Sequence, residues 1–105
     1  MMKTIESTEA FNQAINSPHT VIVKFETSWC PDCKRLNTYV DDLVSDFPFQ
    51  WVSVDRDKFT ALGEKYDVLG IPSLLAFKKG EKIAHLRADN QTPEQIRDYL
   101  SHLGK

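Results

Sequence analysis

The sequence predicts an α/β domain in which a central mixed β-sheet is covered by helices on both faces. Three observations carry that expectation. Apolar runs rich in β-branched residues alternate with stretches that follow a 3.6-residue period. The last two strand-like runs are separated only by Lys78-Lys79-Gly80-Glu81, which makes them a hairpin. A chain of 105 residues can bury one sizeable core but not two, so 1–105 is read as a single domain. Strands separated by helices pair in parallel through right-handed crossovers, and the hairpin adds antiparallel neighbours.

Taken in order, Lys3–Ile5 is a short first strand. Ser7 offers an N-cap, Ala10, Phe11, Ala14 and Ile15 recur at helical spacing, and Asn16-Ser17-Pro18-His19 stops that helix. Thr20–Phe25 is nearly continuous in β-branched residues, as a strand buried on both faces would be, with Lys24 as its one charge. After Cys30, the positions Cys33, Leu36, Tyr39, Val40, Leu43, Val44 and Phe47 keep the helical period until Pro48 closes the helix. Phe49–Asp55 is the next strand, carrying Trp51, Val52 and Val54, and a weaker helix interrupted by Gly63 follows around Phe59–Tyr66. Ser73–Phe77 and Lys82–Leu86 are the hairpin strands. Thr92-Pro93-Glu94-Gln95 has the form of a capping box with proline at the first helical position, and Ile96, Tyr99, Leu100 and Leu103 share one face of the last helix.

Composition narrows the function. The formal net charge is -2 and both signs are interleaved, as in Asp55-Arg56-Asp57-Lys58, so no basic stripe suits nucleic acid and no polybasic cluster suits an anionic membrane. The longest apolar runs fall far short of a bilayer span. The opening Met-Met-Lys-Thr-Ile-Glu lacks the apolar core of a secretory leader, so a reducing cytoplasm is the expected compartment. There, a two-cysteine chain is more often catalytic or metal-binding than stapled.

Both cysteines lie in Trp29-Cys30-Pro31-Asp32-Cys33-Lys34, at the start of the long helix. With Cys30 as N-cap, its sulfur faces unpaired backbone N–H groups and the positive end of the helix dipole, which favour a thiolate. Pro31 then sits where a missing N–H costs least, and the amides of Asp32 and Cys33 stay available to the sulfur. Cys30 is the expected nucleophile, and Cys33, one turn inward, the expected resolving thiol. Asp32 pulls the other way: a carboxylate near Cys30 disfavours the thiolate, which suits a reductant rather than a strong oxidant. As a fixed staple so short a ring constrains little of the unfolded chain. A zinc site needs four ligands, and His19, His85 and His102 are scattered over loop, strand and helix. Redox chemistry with no metal and no cofactor is therefore expected, ahead of a metal site or an inert pair.

Further residues complete a pattern. Val21-Phe25, Trp29 to Lys34, Val54-Asp55 and the segment Tyr66 to Gly80, containing Gly70-Ile71-Pro72-Ser73, follow one another at separations that make the chain resemble the thioredoxin family from about Lys3 to Leu103. The resemblance implies a thioredoxin fold, with a five-stranded mixed sheet flanked by four helices. It implies a monomeric thiol–disulfide oxidoreductase recycled by thioredoxin reductase or another thiol reductant. It also implies that Pro72 follows a cis peptide bond and faces the cysteines, that Ile71 pairs through its backbone with an extended substrate, and that Trp29 rims the docking site.

The departures from that family are informative. Pro31-Asp32 stands where typical members have Gly-Pro, a variant similar to a branch of small bacterial thioredoxin-like proteins. Lys24 stands where a buried aspartate is usual, Glu26 where a tryptophan is, Trp51 where a lysine is, Asn37-Thr38 where a helix-kinking proline is, and Ala88 where a glycine borders the groove. Residues 24 and 26 share a strand face, so they can pair. Lys24 is expected either to favour a Cys33 thiolate by charge or to reach solvent with its stem in the core. The expected function is a disulfide reductase acting on disulfide-containing proteins or low-molecular-weight disulfides. The alternatives are monothiol removal of small-thiol caps by Cys30 alone and a binding module without turnover.

Overall fold

The computed structural model describes residues 2–103; Met1, Gly104 and Lys105 of the expected domain lie outside the described residues. In chain order the elements are β1 (Lys3–Thr4), α1 (Thr8–Ile15), β2 (Val21–Glu26), α2 (Pro31–Asn37), α3 (Val40–Asp46), β3 (Gln50–Asp55), α4 (Thr60–Lys65), β4 (Ser73–Lys78), β5 (Glu81–Arg87), a 3₁₀ turn at Ala88–Asn90, and α5 (Pro93–Leu103). The sheet order is β1-β3-β2-β4-β5, with β1, β3 and β2 parallel and the β4–β5 hairpin antiparallel. This is the expected mixed five-stranded sheet.

Strand alternation divides the core. Val21, Val23 and Phe25 point to one face, where Phe11 and Ile15 of α1 and Leu62 of α4 pack. Phe11, Tyr66 and Phe77 meet there as three rings with centroids 5.0–5.8 Å apart, two of the pairs edge-on. Ile22 points to the other face, with Leu36 of α2, Leu43 of α3, Trp51, and Ile96 and Leu100 of α5. Lys24 and Glu26 continue the Ile22 series, so the sheet pleat aims both charges at the helix that carries the cysteines.

Among the described residues there are five α-helices where four are expected, because the long helix after Cys30 breaks at Thr38-Tyr39. No proline is involved. The amides of Thr38 and Tyr39 turn to the carbonyls three residues back, on Arg35 and Leu36, and the Thr38 hydroxyl donates to the Arg35 carbonyl oxygen at 2.6 Å. A hydroxyl bonded to the preceding turn competes with the helical ladder and bends it. The apolar period runs on across the break, which is why periodicity reads it as one helix.

The capping box forms as expected. The Gln95 amide donates to Thr92 Oγ1 at 3.2 Å, and the Thr92 amide donates to Gln95 Oε1 at 2.8 Å. Thr92→Ala removes one side of this exchange at the helix that seals the second core face. It is expected to lower unfolding free energy by about 1 kcal/mol, measured as a lower urea midpoint at constant slope.

Candidate active site

Strand register assembles the site. Phe25 of β2 lies opposite Ser73 of β4, so the chain entering β4 through Ile71-Pro72 runs beside the chain leaving β2 toward Cys30. The Ile71–Pro72 peptide bond is cis, and Pro72 is buried. The Ala88 amide donates to the Pro72 carbonyl oxygen at 2.9 Å, which ties the loop after β5 to the same spot.

Cys30 is the N-cap of α2 with extended backbone, and Pro31 is the first helical residue. The Cys33 amide donates to Cys30 Sγ at 3.1 Å. On its other side the Cys30 thiol donates to the Ile71 carbonyl oxygen at 3.7 Å. Both cysteines are free thiols; Cys30 is 4% exposed and Cys33 1%. Burial pushes the Cys33 thiol well above the ordinary range. Its hydrogen bond with Cys30 and the charges of Cys30 and Glu26 add to that, and the Thr27 backbone opposes it. Among the described residues no group of His, Cys, Asp and Glu could hold a metal ion.

The structure places the other sequence-expected residues around this pair. Trp29 is 62% exposed, and its indole Nε1 donates to Asp57 Oδ2 at 2.6 Å. Asp32 pairs with Arg35 at 2.9 Å, both partly in solvent, which dilutes its charge toward Cys30. Trp51 is buried in the second core face and donates to the Phe47 carbonyl oxygen at 2.9 Å.

Lys24 does not reach solvent; it is 5% exposed. Its ammonium lies 2.8 Å from Glu26 Oε2 and donates to Asn37 Oδ1 at 2.6 Å, while Asn37 Nδ2 donates to Glu26 Oε1 at 3.1 Å. The three side chains form a closed ring. Lys24 is thereby paired with Glu26 and Asn37, and the Glu26 charge is one of the smaller influences that raise the Cys33 thiol. Glu26 and Asn37 also line a pocket of about 260 Å3 with Thr27, Ser53 and Asp55. Thr27 Oγ1 is buried without a hydrogen-bond partner among the described residues.

Sequence reasoning missed Asn37 as a partner. The signal was present: Asn37 is one turn beyond Cys33, at a spacing that puts both on one helix face. It also missed Asp57 and Arg87. Arg87 lies across Gly70, where an added Cβ would fall on the guanidinium.

Comparison with known proteins agrees with this geometry. The family model described as Thioredoxin matches residues 2–102. The thioredoxin of Ovis aries is 31% identical over 94 residues, covering 87% of this chain and 90% of that protein. The H-type thioredoxin of Fagopyrum esculentum is 30% identical over 82 residues, covering 77% of this chain and 71% of its own. Among solved structures, Fasciola hepatica thioredoxin superposes with a TM-score of 0.84 at 21% identity, covering 96% of this chain and 98% of that one.

Two outcomes follow from the ring of Lys24, Glu26 and Asn37. In a Cys30→Ser background, alkylation of Cys33 is expected to rise only at pH values above those of an ordinary thiol. Glu26→Gln should move that rise down and Lys24→Met should move it up, because the first removes a negative charge and the second leaves it uncompensated. Lys24→Met should also cost roughly 2–3 kcal/mol in urea unfolding, less than a fully buried pair because Glu26 keeps some solvent contact.

Proposed function

The chain belongs to the thioredoxin family of disulfide oxidoreductases, and on that premise we propose that it is a disulfide reductase with Cys30 as nucleophile and Cys33 as resolving thiol. The observation that carries the reading is the asymmetry between two sulfurs three positions apart. An amide hydrogen is aimed at Cys30 Sγ, while burial keeps the proton on Cys33.

The chemistry then runs in two exchanges. The Cys30 thiolate attacks one sulfur of a client disulfide; that S–S bond breaks, and its electron pair leaves on the other client sulfur, which takes a proton. Cys30 is now joined to the client. Cys33 sheds its proton and attacks Cys30 Sγ, and the second client thiol departs. The client gains two electrons and two protons, and Cys30 and Cys33 are left as a disulfide. Having both thiols on one turn makes the second attack intramolecular.

In this reading each surrounding residue has a task. Trp29, Ile71 and Pro72 receive the client beside Cys30. Asp32, close in sequence to the nucleophile, suits a reducing dithiol. Glu26, held by Lys24 and Asn37, adds its charge to the burial that keeps Cys33 protonated until the mixed disulfide forms. Lys24 holds Glu26 in place and offsets its charge beside Cys33. Proteins of this family work with protein disulfides and thioredoxin reductase; here the clients are proteins or low-molecular-weight disulfides in a cytoplasmic setting, and that reductase or another thiol system restores the dithiol of a monomer. No helix among the described residues is long and apolar enough to cross a membrane.

Turnover by the Cys33→Ser variant tests the assignment. It is expected to drop at least about a hundredfold in insulin or cystine reduction, with a stable mixed disulfide on Cys30 visible by mass spectrometry, because an intramolecular step is lost. Retained turnover would instead mean that Cys30 works alone, and a flat assay with the intact protein would mean a binding module.

A further inference from the structure

The reductase reading leaves one charged feature beside the docking loop without a task. Arg87 ends β5 opposite Ser73, so the sheet register delivers its side chain to the edge where Gly70-Ile71-Pro72 passes Cys30. The guanidinium lies over the Cα of Gly70, in the space a side chain at position 70 would need. The absence of a Cβ at that position is what lets the arginine lie there.

Its bonding is lopsided. Only Nε has a partner, sharing its hydrogen between Asp89 Oδ1 at 3.1 Å and Oδ2 at 3.3 Å, and the two terminal nitrogens have no acceptor among the described residues. The side chain is 59% exposed, whereas Asp89 is largely covered. The neighbouring Arg35 is occupied differently: one terminal nitrogen meets Asp32 at 2.9 Å and the other the Asp89 carbonyl oxygen at 2.9 Å. Asp89 therefore anchors Arg87 by its root and leaves the fork outward, the geometry a guanidinium uses to hold a carboxylate through two parallel hydrogen bonds. Leu69, the residue before Gly70, is 82% exposed and supplies an apolar neighbour.

We propose that Arg87 is a specificity-determining residue that selects disulfides bearing a carboxylate within a residue or two of the reacting sulfur. This rests on the reductase reading and adds to it the substrate class. A client lying along Ile71 with its sulfur at Cys30 would set an apolar side chain on Leu69 and an acidic group on the Arg87 fork. An exposed charge-assisted contact of this kind is worth about a threefold to fivefold preference and weakens with salt.

The test uses one short peptide in three forms, its single cysteine flanked by Glu, Gln or Lys and capped by 2-mercaptoethanol through a disulfide. A fourth form, Gln-flanked and capped by 3-mercaptopropionate, moves the carboxylate from the peptide to the small thiol. Each kcat/KM is divided by the rate with dithiothreitol, which removes differences in intrinsic reactivity. A carboxylate-bearing form should exceed the Gln-flanked, 2-mercaptoethanol-capped form by about threefold to fivefold at low ionic strength, with the Lys form lowest. Whichever of the two carboxylate arms gains identifies the source. The ratio should fall toward one in Arg87→Gln and in high salt. It should also fall in Gly70→Ala, which keeps the charge but displaces the side chain, so the inference stays testable if Arg87→Gln folds poorly. A ratio of one in the intact protein, or a ratio that survives both substitutions, overturns the inference while leaving the reductase in place. No turnover of any form overturns the reductase reading and this inference with it.

Discussion

The antiparallel register between β2 and β4 is the constraint on which the rest depends. With Phe25 opposite Ser73, the cysteine turn after β2 and the Ile71-Pro72 loop before β4 emerge at one end of the sheet, side by side. A slip of one residue would turn every β2 side chain to the opposite face. Such a slip would put Val23 and Phe25 among the cysteine-bearing helix and send Lys24 into the purely apolar face built on Phe11 and Phe77. The burial of a charge in the wrong core forbids that alternative more firmly than any single hydrogen bond favours the observed one.

The site itself works by inequality. Two identical side chains, one turn apart, meet different surroundings: one sulfur caps a helix and touches the Ile71 carbonyl, and the other is sealed beneath it. Burial holds the proton on the inner sulfur, whereas the outer one accepts a backbone amide hydrogen. The carboxylate behind the inner sulfur deepens the difference, since its charge makes early ionisation there still less favourable.

Much of this was legible in the sequence, for identifiable reasons. The β-branched run at Thr20–Phe25 and the capping box at Thr92–Gln95 are local signals, and local signals survive into the fold. The mixture of parallel pairs and an antiparallel hairpin was also readable, because helical crossovers and a tight turn leave few options. The helix break was not, because the Thr38 hydroxyl bends the backbone without disturbing the apolar period around it. The pairing of residues 24 and 26 followed from strand geometry, whereas their closure through Asn37 depends on how α2 lies over the sheet. Likewise, a glycine at 70 and an arginine at 87 become one feature only when the hairpin brings them together.

The ring on the cysteine side of the sheet has an evolutionary consequence. Its members come from a strand and from a helix eleven or more residues away, yet each satisfies the other two. Losing the ammonium strands an acid, losing the acid strands an ammonium, and losing the amide opens both to competing partners. Drift at these positions is therefore coupled. Descendants of this chain should inherit the trio intact or exchange it wholesale for an apolar set, and intermediates that alter one member alone should be short-lived.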